Sequence, residues 1–287
     1  MGKRFDTLLF PGGKRKVFTL SYDDGVVQDR RLAALIRSYG AKATFNLNSA
    51  LLGKADMGGY PGKPLLDISK VAPEELETVY AGHEIAGHGL YHSDLAGVGA
   101  PRASYEIVED KRRLEALSGQ PLRMFAYPFG TFSDEVKEAL RLAGYHGART
   151  VRSTHSFALP TEPLLWDPTC HHNDPRLMEL ARDFAENPTP FPLLFYVWGH
   201  GYEFDDRGNW QVMEELLAFL AGHRDAIWFA TNGEILAYLE AYRRLEYAAD
   251  GSLIRNPSAL DVLIAPSFGQ ELLLKAGEVT RVPEPNL

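Results

Sequence analysis

A chain of 287 residues, 45% hydrophobic and 24% charged, is long enough to bury one large core or two smaller ones. Its formal net charge of -8 and the absence of a basic cluster argue against nucleic acid or an anionic membrane as the main partner, and favour a neutral or weakly charged substrate. The single cysteine, Cys170, excludes an intramolecular disulfide framework, Met1 to Phe10 has no long apolar h-region, and no apolar run approaches the ~20 residues of a spanning helix, so the chain as given is expected to be cytoplasmic, with a secreted protein trimmed of its signal peptide as the alternative.

Lys16 to Tyr22 alternates Val17, Thr19 and Ser21 against Phe18, Leu20 and Tyr22, which predicts a strand buried on both faces and ended at Gly25. Asp29 is the expected cap of a helix carrying Leu32, Leu35, Ile36 and Tyr39, closed by Gly40. Ala43 to Leu47 reads as the second strand, and Leu51 to Pro64 as a Gly/Pro-rich loop. A short helix from Pro73 to Tyr80 leads to a third strand, Glu84 to Ala86. Ser104 to Leu117 is helical and stops at Gly119, and Arg123 to Tyr127 is the fourth strand. Ser133 caps a helix with Val136, Ala139, Leu140 and Ala143 on one face, and Gly147 to Val151 is the fifth strand.

Asp174-Pro175 has the form of an N-cap followed by proline, opening a helix with Leu177, Leu180, Ala181 and Phe184 inward. Leu193 to Trp198 is the sixth strand, Trp210 to Leu220 an amphipathic helix, and Ala226 to Ala230 the seventh strand. Thr231-Asn232-Gly233-Glu234 is a capping box for a last helix to about Arg244. Strands alternating with helices imply an α/β fold with right-handed crossovers, here a distorted (β/α) barrel of about seven parallel strands over residues 1–246. Residues 247–287 change texture: Gly251 to Ile254, Asp261 to Ala265 and Glu271 to Leu274 are short β-like runs of a small C-terminal appendage, and Arg281 to Leu287 reads as a tail.

Asp23 and Asp24 end the first strand, and neighbouring strand residues point to opposite sides, so one can ligate an ion while the other stays free as a base. Alone, Asp-Asp-Gly is an ordinary turn sequence. His88-Gly89-Leu90-Tyr91-His92 adds two imidazoles at i and i+4, just after the third strand. Two histidines and a carboxylate leave positions open for water and substrate, as catalytic metal sites do, and in a β/α barrel both strand ends face the same rim. Two further strand ends join it: Arg123-Met124-Phe125-Ala126-Tyr127-Pro128-Phe129-Gly130, and Tyr196-Val197-Trp198-Gly199-His200.

The order and content of these pieces resemble the polysaccharide deacetylase family, also called the NodB homology domain or carbohydrate esterase family 4, over roughly Lys16 to Arg244. The resemblance implies Asp23 as general base, Asp24, His88 and His92 as metal ligands, His200 as general acid, and the backbone N–H of Phe129 as oxyanion donor beside Tyr127. It implies one divalent ion, Zn2+ with Ni2+ or Co2+ as alternatives. Amide or ester hydrolysis needs those parts: water of lowered pKa, a stabilised oxyanion and a proton for the leaving amine.

Two departures stand out. Gly89 replaces a usual Ser or Thr, and Ala126 stands where the family often has the arginine that holds the catalytic aspartate. Arg149, in the fifth strand, is the candidate replacement, because a charge in a barrel strand is costly to bury unpaired and Asp23 is the carboxylate left free by the metal. An outward-pointing Arg149 and a competing Arg152 remain open. Trp166-Asp167 is the candidate for the family's fourth motif, and Trp166, Trp198, Tyr202 and Phe204 are candidates for stacking on a sugar ring.

Cys170-His171-His172 is read as a loop lining the cleft rather than a second metal site, since consecutive side chains seldom converge on one ion. His83, His146, His155 and His223 are left as structural or surface residues. The implied function is metal-dependent removal of acetyl groups from N-acetylated amino sugars or their polymers. The alternatives are hydrolysis of a small non-sugar amide, and a carbohydrate-binding barrel without catalysis.

Overall fold

The computed structural model describes residues 6–58, 65–266 and 270–283. Its central sheet is built from β1 (Lys16–Asp23), β2 (Ala43–Leu47), β3 (Glu84–Gly87), β4 (Met124–Ala126), β5 (Gly147–Arg149), β6 (Cys170–His171), β7 (Leu193–His200) and β8 (Ile227–Phe229). All neighbours pair in parallel, in the order β5-β4-β3-β2-β1-β7-β6. The seven strands expected from alternation are present, and β6 is the addition.

All eight residues of β1 are buried, and it is the hub. One edge pairs with β7 along its whole length, from Lys16 opposite Leu193 to Asp23 opposite His200. The other edge is shared: β8 takes Lys16 to Phe18, and β2 takes Leu20 to Asp23. The segment from Trp166 to His172 joins the outer strands. Trp166 N–H donates to the Ala148 carbonyl and its carbonyl accepts from Thr150, while Thr169 and His172 N–H donate to Tyr196 and Trp198 of β7. The sheet thus curls into a distorted barrel.

Strand alternation then sorts the core. Phe18, Leu20 and Tyr22 join the layer beneath the helices Asp29–Ser38, Ala100–Ser118, Asp134–Leu142, Leu177–Glu186 and Trp210–Ala221. Val17 faces the opposite cluster with Ala86, Met124, Trp166 and Tyr196. Above Val17 the same face of β1 turns polar through Thr19, Ser21 and Asp23, so the barrel interior passes from apolar at its base to hydrogen-bonding at its carboxyl rim.

Several boundaries differ from the sequence reading. Asp29 lies within the first helix rather than capping it, and its carboxylate accepts from the Tyr80 hydroxyl at 2.9 Å. The helix expected from Ser104 starts at Ala100, after Gly99 at φ 80°. Asp174-Pro175 forms a turn in which the carboxylate accepts the Arg176 N–H, and the helix begins at Leu177. Ser133 and the Thr231–Glu234 box cap their helices.

The C-terminal runs form two small antiparallel sheets with partners from elsewhere: Thr7–Leu9 pairs with Val262–Ala265, and Glu246–Tyr247 with Leu253–Arg255. Val279–Arg281 is a strand where a tail was expected to begin. Ile254, Val262, Ile264 and Leu274 pack in the cluster that contains Val17 and Met124, under the barrel's base. Met57–Gly58 pairs with Leu66–Asp67 in the loop read as irregular, and residues 59–64 of that loop and 284–287 of the tail lie outside the described residues.

Candidate metal centre and catalytic site

Asp24 follows β1 in the left-handed region, at φ 79°. A non-glycine residue adopts that conformation at a cost, and here it turns the second carboxylate toward the histidine loop. Asp24 Oδ1 lies 3.7 Å from His88 Nε2 and 3.5 Å from His92 Nε2, and the three ligand atoms fall within 4.8 Å of one another. Burial, which pushes the Asp24 carboxyl up, is outweighed by Lys70 and the imidazoles, so it stays below its usual value.

The histidine loop is held from beneath. Asp110 accepts the N–H of Ser49 at 2.8 Å and of His88 at 3.2 Å, and Asn48 Nδ2 donates to the carbonyls of His88 and Gly89 at 2.6 and 2.8 Å. His88 Nδ1 donates to the Ala126 carbonyl at 2.8 Å, which leaves Nε2 with a lone pair facing Asp24. Burial lowers the His88 pKa to about 4, so the ring is neutral. Gly89 sits at φ 77°, which explains why a residue without Cβ stands there. These donors fit a divalent cation: two neutral imidazole nitrogens and one carboxylate oxygen around a common point.

Asp23 is buried, with both oxygens engaged. Asn46 Nδ2 donates to Oδ1 at 2.8 Å, and the Arg149 guanidinium donates to Oδ2. Arg149 is fully buried; Nε donates to Ser21 Oγ at 3.2 Å, one amino group donates to the Thr150 carbonyl at 3.0 Å, and Cζ stands 4.5 Å from the centre of the Trp198 ring. Arg149 is the register partner of Ala126 across β4 and β5. Burial pushes the Asp23 carboxyl up, but Arg149, with His88 and His200, brings it down to about 2. Arg152 instead pairs with Asp167 at 3.0 Å, half exposed.

His200 closes β7 opposite Asp23, with Nε2 4.0 Å from Asp23 Oδ2. Its Nδ1 faces Glu203 Oε2 at 3.6 Å, and its backbone N–H donates to that oxygen at 3.3 Å. Burial lowers the proton affinity of the ring, but Glu203, Asp23 and Asp24 outweigh it, so the His200 pKa is raised. Glu203 was missed in the sequence; the signal was a carboxylate one helical turn after His200, on the short helix Tyr202–Arg207.

The remaining candidates divide. Phe129 lies on the rim at φ 59°, 63% exposed, its ring 4.5 Å from that of His92. Trp198 packs against Arg149, His171 and His200. The Tyr202 ring lies 5.2 Å from that of His200. Tyr127 does not reach the site: it is buried, and its hydroxyl donates to the Leu164 carbonyl at 2.8 Å. Trp166 is likewise core, its ring 5.3 Å from that of Tyr196, and Asp167, the fourth-motif candidate, accepts from Thr150 and Arg152. Phe204 is stacked on His172 in the interior.

His171 and His172 do converge, contrary to the expectation for consecutive residues, because β6 ends there and both rings turn to Glu203 at 3.0 and 3.2 Å. Their hydrogen bonds oppose a metal. The Asn173 N–H donates to His171 Nδ1, so the proton of that ring is on Nε2, toward the carboxylate. His83 bridges Ala33 and Ala43, His146 pairs with Glu240, His155 with Asp174, and His223 with the Phe219 carbonyl.

The polysaccharide deacetylase family matches residues 11–148, the stretch that carries Asp23, Asp24, His88 and His92. This stretch, just under half of the chain, belongs to the polysaccharide deacetylase family. Among solved structures it is similar to a putative polysaccharide deacetylase from Mycobacterium smegmatis, with 16% identity, TM-score 0.60, and coverage of 83% of this chain and 94% of that one. It is also similar to the Xyl-CE4 domain of a multidomain xylanase from the hindgut metagenome of Trinervitermes trinervoides, with 16% identity, TM-score 0.52, and coverage of 83% and 99%. The likeness to a Streptococcus pyogenes deacetylase, PplD, is partial: 19% identity, TM-score 0.40, 46% of this chain and 55% of that one. No curated protein matches. At these identities the structural likeness concerns the fold, and the remaining site residues, Arg149, His200 and Glu203, lie beyond the matched segment.

Proposed function

We propose that the protein is a metal-dependent carbohydrate deacetylase, which hydrolyses the acetamide of N-acetylated amino sugars or their polymers. The observation that carries this reading is the meeting of three groups on one rim. A metal-ready triad, Asp24, His88 and His92, stands beside an ionised carboxylate fixed by Arg149 and an imidazole whose proton affinity is raised by Glu203.

A divalent ion held by the triad would supply Lewis acidity, lowering the pKa of water and polarising the acetyl carbonyl. Asp23, ionised and oriented by Arg149, accepts the proton of the attacking water as its oxygen bonds to the carbonyl carbon. The Phe129 N–H is the donor proposed for the developing oxyanion. His200 then gives its Nε2 proton to the amine nitrogen as the C–N bond breaks, releasing acetate and the free amine. Asp23 and His200 are thus pushed apart in proton affinity by their partners, one held below and one above its usual range, as base and acid require.

The test is acetate release from N-acetylated chitooligosaccharides by metal-free protein before and after addition of Zn2+, Ni2+ or Co2+. Release that depends on the ion and is lost in Asp23→Asn supports the reading. Absence of release from these substrates and from O-acetylated sugars, with the ion bound, overturns it.

A further inference from the structure

His171 lies beyond the stretch that matches the family, and a backbone donor fixes the direction of its hydrogen bonds. The Asn173 N–H can only donate, and its acceptor is His171 Nδ1 at 3.1 Å. A neutral ring that accepts at Nδ1 carries its proton on Nε2, and His171 Nε2 lies 3.0 Å from Glu203 Oε2. Glu203 Oε2 also stands 3.6 Å from His200 Nδ1, beyond hydrogen-bond length but close enough for its charge to favour a proton on that nitrogen. The proton that comes and goes is then the one on His200 Nε2, the nitrogen 4.0 Å from Asp23.

His172 is placed differently. Its Nε2 lies 3.2 Å from the same Glu203 oxygen and 2.9 Å from Asn173 Nδ2, and the ring is sandwiched between Tyr22 and Phe204. His171 is the ring whose donor role toward Glu203 is fixed by a backbone N–H. Its position is set by β6, the strand in the segment that closes the barrel.

We propose that His171 is a positioning residue, which holds the Glu203 carboxylate beside His200 Nδ1 and so keeps the transferable proton of His200 on Nε2, facing Asp23. This rests on the reading of His200 as the proton donor to the leaving amine.

The experiment uses two substrates that differ in their need for that proton. An N-acetylated chitooligosaccharide must have its amine protonated to leave, whereas 4-nitrophenyl acetate expels a phenolate without help. His171→Leu should lower kcat on the amide about tenfold, a part of the roughly 10²–10⁴-fold that general acid catalysis contributes, with little change in KM and near-normal turnover of the aryl ester. His171→Gln, which can accept from the Asn173 N–H and donate to Glu203 as the native ring does, should restore most of the amide rate. The 15N side-chain shifts of His200 should report a protonated Nδ1 in the wild type and in His171→Gln, and a mixture of tautomers in His171→Leu. Equal losses on both substrates in His171→Leu, or no rescue by glutamine, would overturn the inference and leave a structural role only. A wild-type protein that cleaves neither substrate overturns the functional reading, and this inference with it.

Discussion

Ala126 and Arg149 are partners across adjacent strands, and the guanidinium that the family often places at the first position reaches Asp23 from the second. In a parallel pair, register partners project from the same face, so an arginine can move one strand over and still enter the same rim. The arrangement predicts a strong coupling. Arg149→Ala leaves Asp23 buried and uncompensated and should cost about 3–5 kcal/mol of stability together with most activity. The Asp23→Asn/Arg149→Ala double variant should be destabilised less than the sum of the two singles. Denaturant melts of the four proteins check this, and additive losses would show that the pair is not coupled.

The triad makes a prediction about stoichiometry. Wild-type protein should bind one divalent ion at Asp24, His88 and His92, and His88→Ala should lose the ion and the activity together. Asp110→Asn, which weakens the carboxylate under the His88 loop without touching a ligand, should loosen the ion roughly 10–100-fold. Chelator competition with elemental analysis measures both, and an unchanged ion content in His88→Ala would move the metal elsewhere.

Much of the rim was legible because strand ends can be located from alternation and a barrel gathers them on one side. Arg149 was readable as a vacancy argument, since Ala126 left Asp23 without a partner and a barrel arginine needs one. Glu203 had only a weak signal, its spacing three residues after His200, because the sequence does not say that the short helix there points the carboxylate back at the ring. Tyr127 and Trp166 failed for another reason. An aromatic residue near a strand end is equally suited to a core and to a sugar, and only the packed barrel shows that their rings fill its interior. The strand Thr7–Leu9 was invisible because its partner lies more than two hundred residues away.

A partly buried carboxylate away from the rim sets a pH dependence of stability. Glu84 accepts from the Thr44 hydroxyl at 2.6 Å and the Gly233 N–H at 2.9 Å, and burial raises its pKa from 4.5 to about 7 against those bonds. A carboxyl whose folded pKa is raised stabilises the protein fully below its unfolded value, and that contribution is lost as pH rises through the folded one. Glu84 should therefore remove up to roughly 3 kcal/mol between about pH 5 and about pH 8. Glu84→Gln keeps an acceptor but cannot ionise, so it should flatten the slope of stability over that window. Parallel slopes for the two proteins would assign the pH dependence to other groups.

The last prediction separates Glu203 from its neighbours. Burial alone would lower the proton affinity of His200, and Glu203 heads the opposing influences, ahead of Asp23 and Asp24. With the raised pKa, the proton-donating form of His200 persists as pH rises, and amide turnover should fall only once pH passes above the usual imidazole range. Glu203→Gln keeps the size and removes the charge, which leaves burial with less opposition. The alkaline limb of kcat on an N-acetylated sugar should then move to lower pH, and turnover near neutrality should drop at least about tenfold. His200→Ala should abolish the limb altogether, since no group remains whose deprotonation it reports. A Glu203→Gln profile that overlays the wild type would mean that the carboxylate does not govern the proton on His200, however close the two stand.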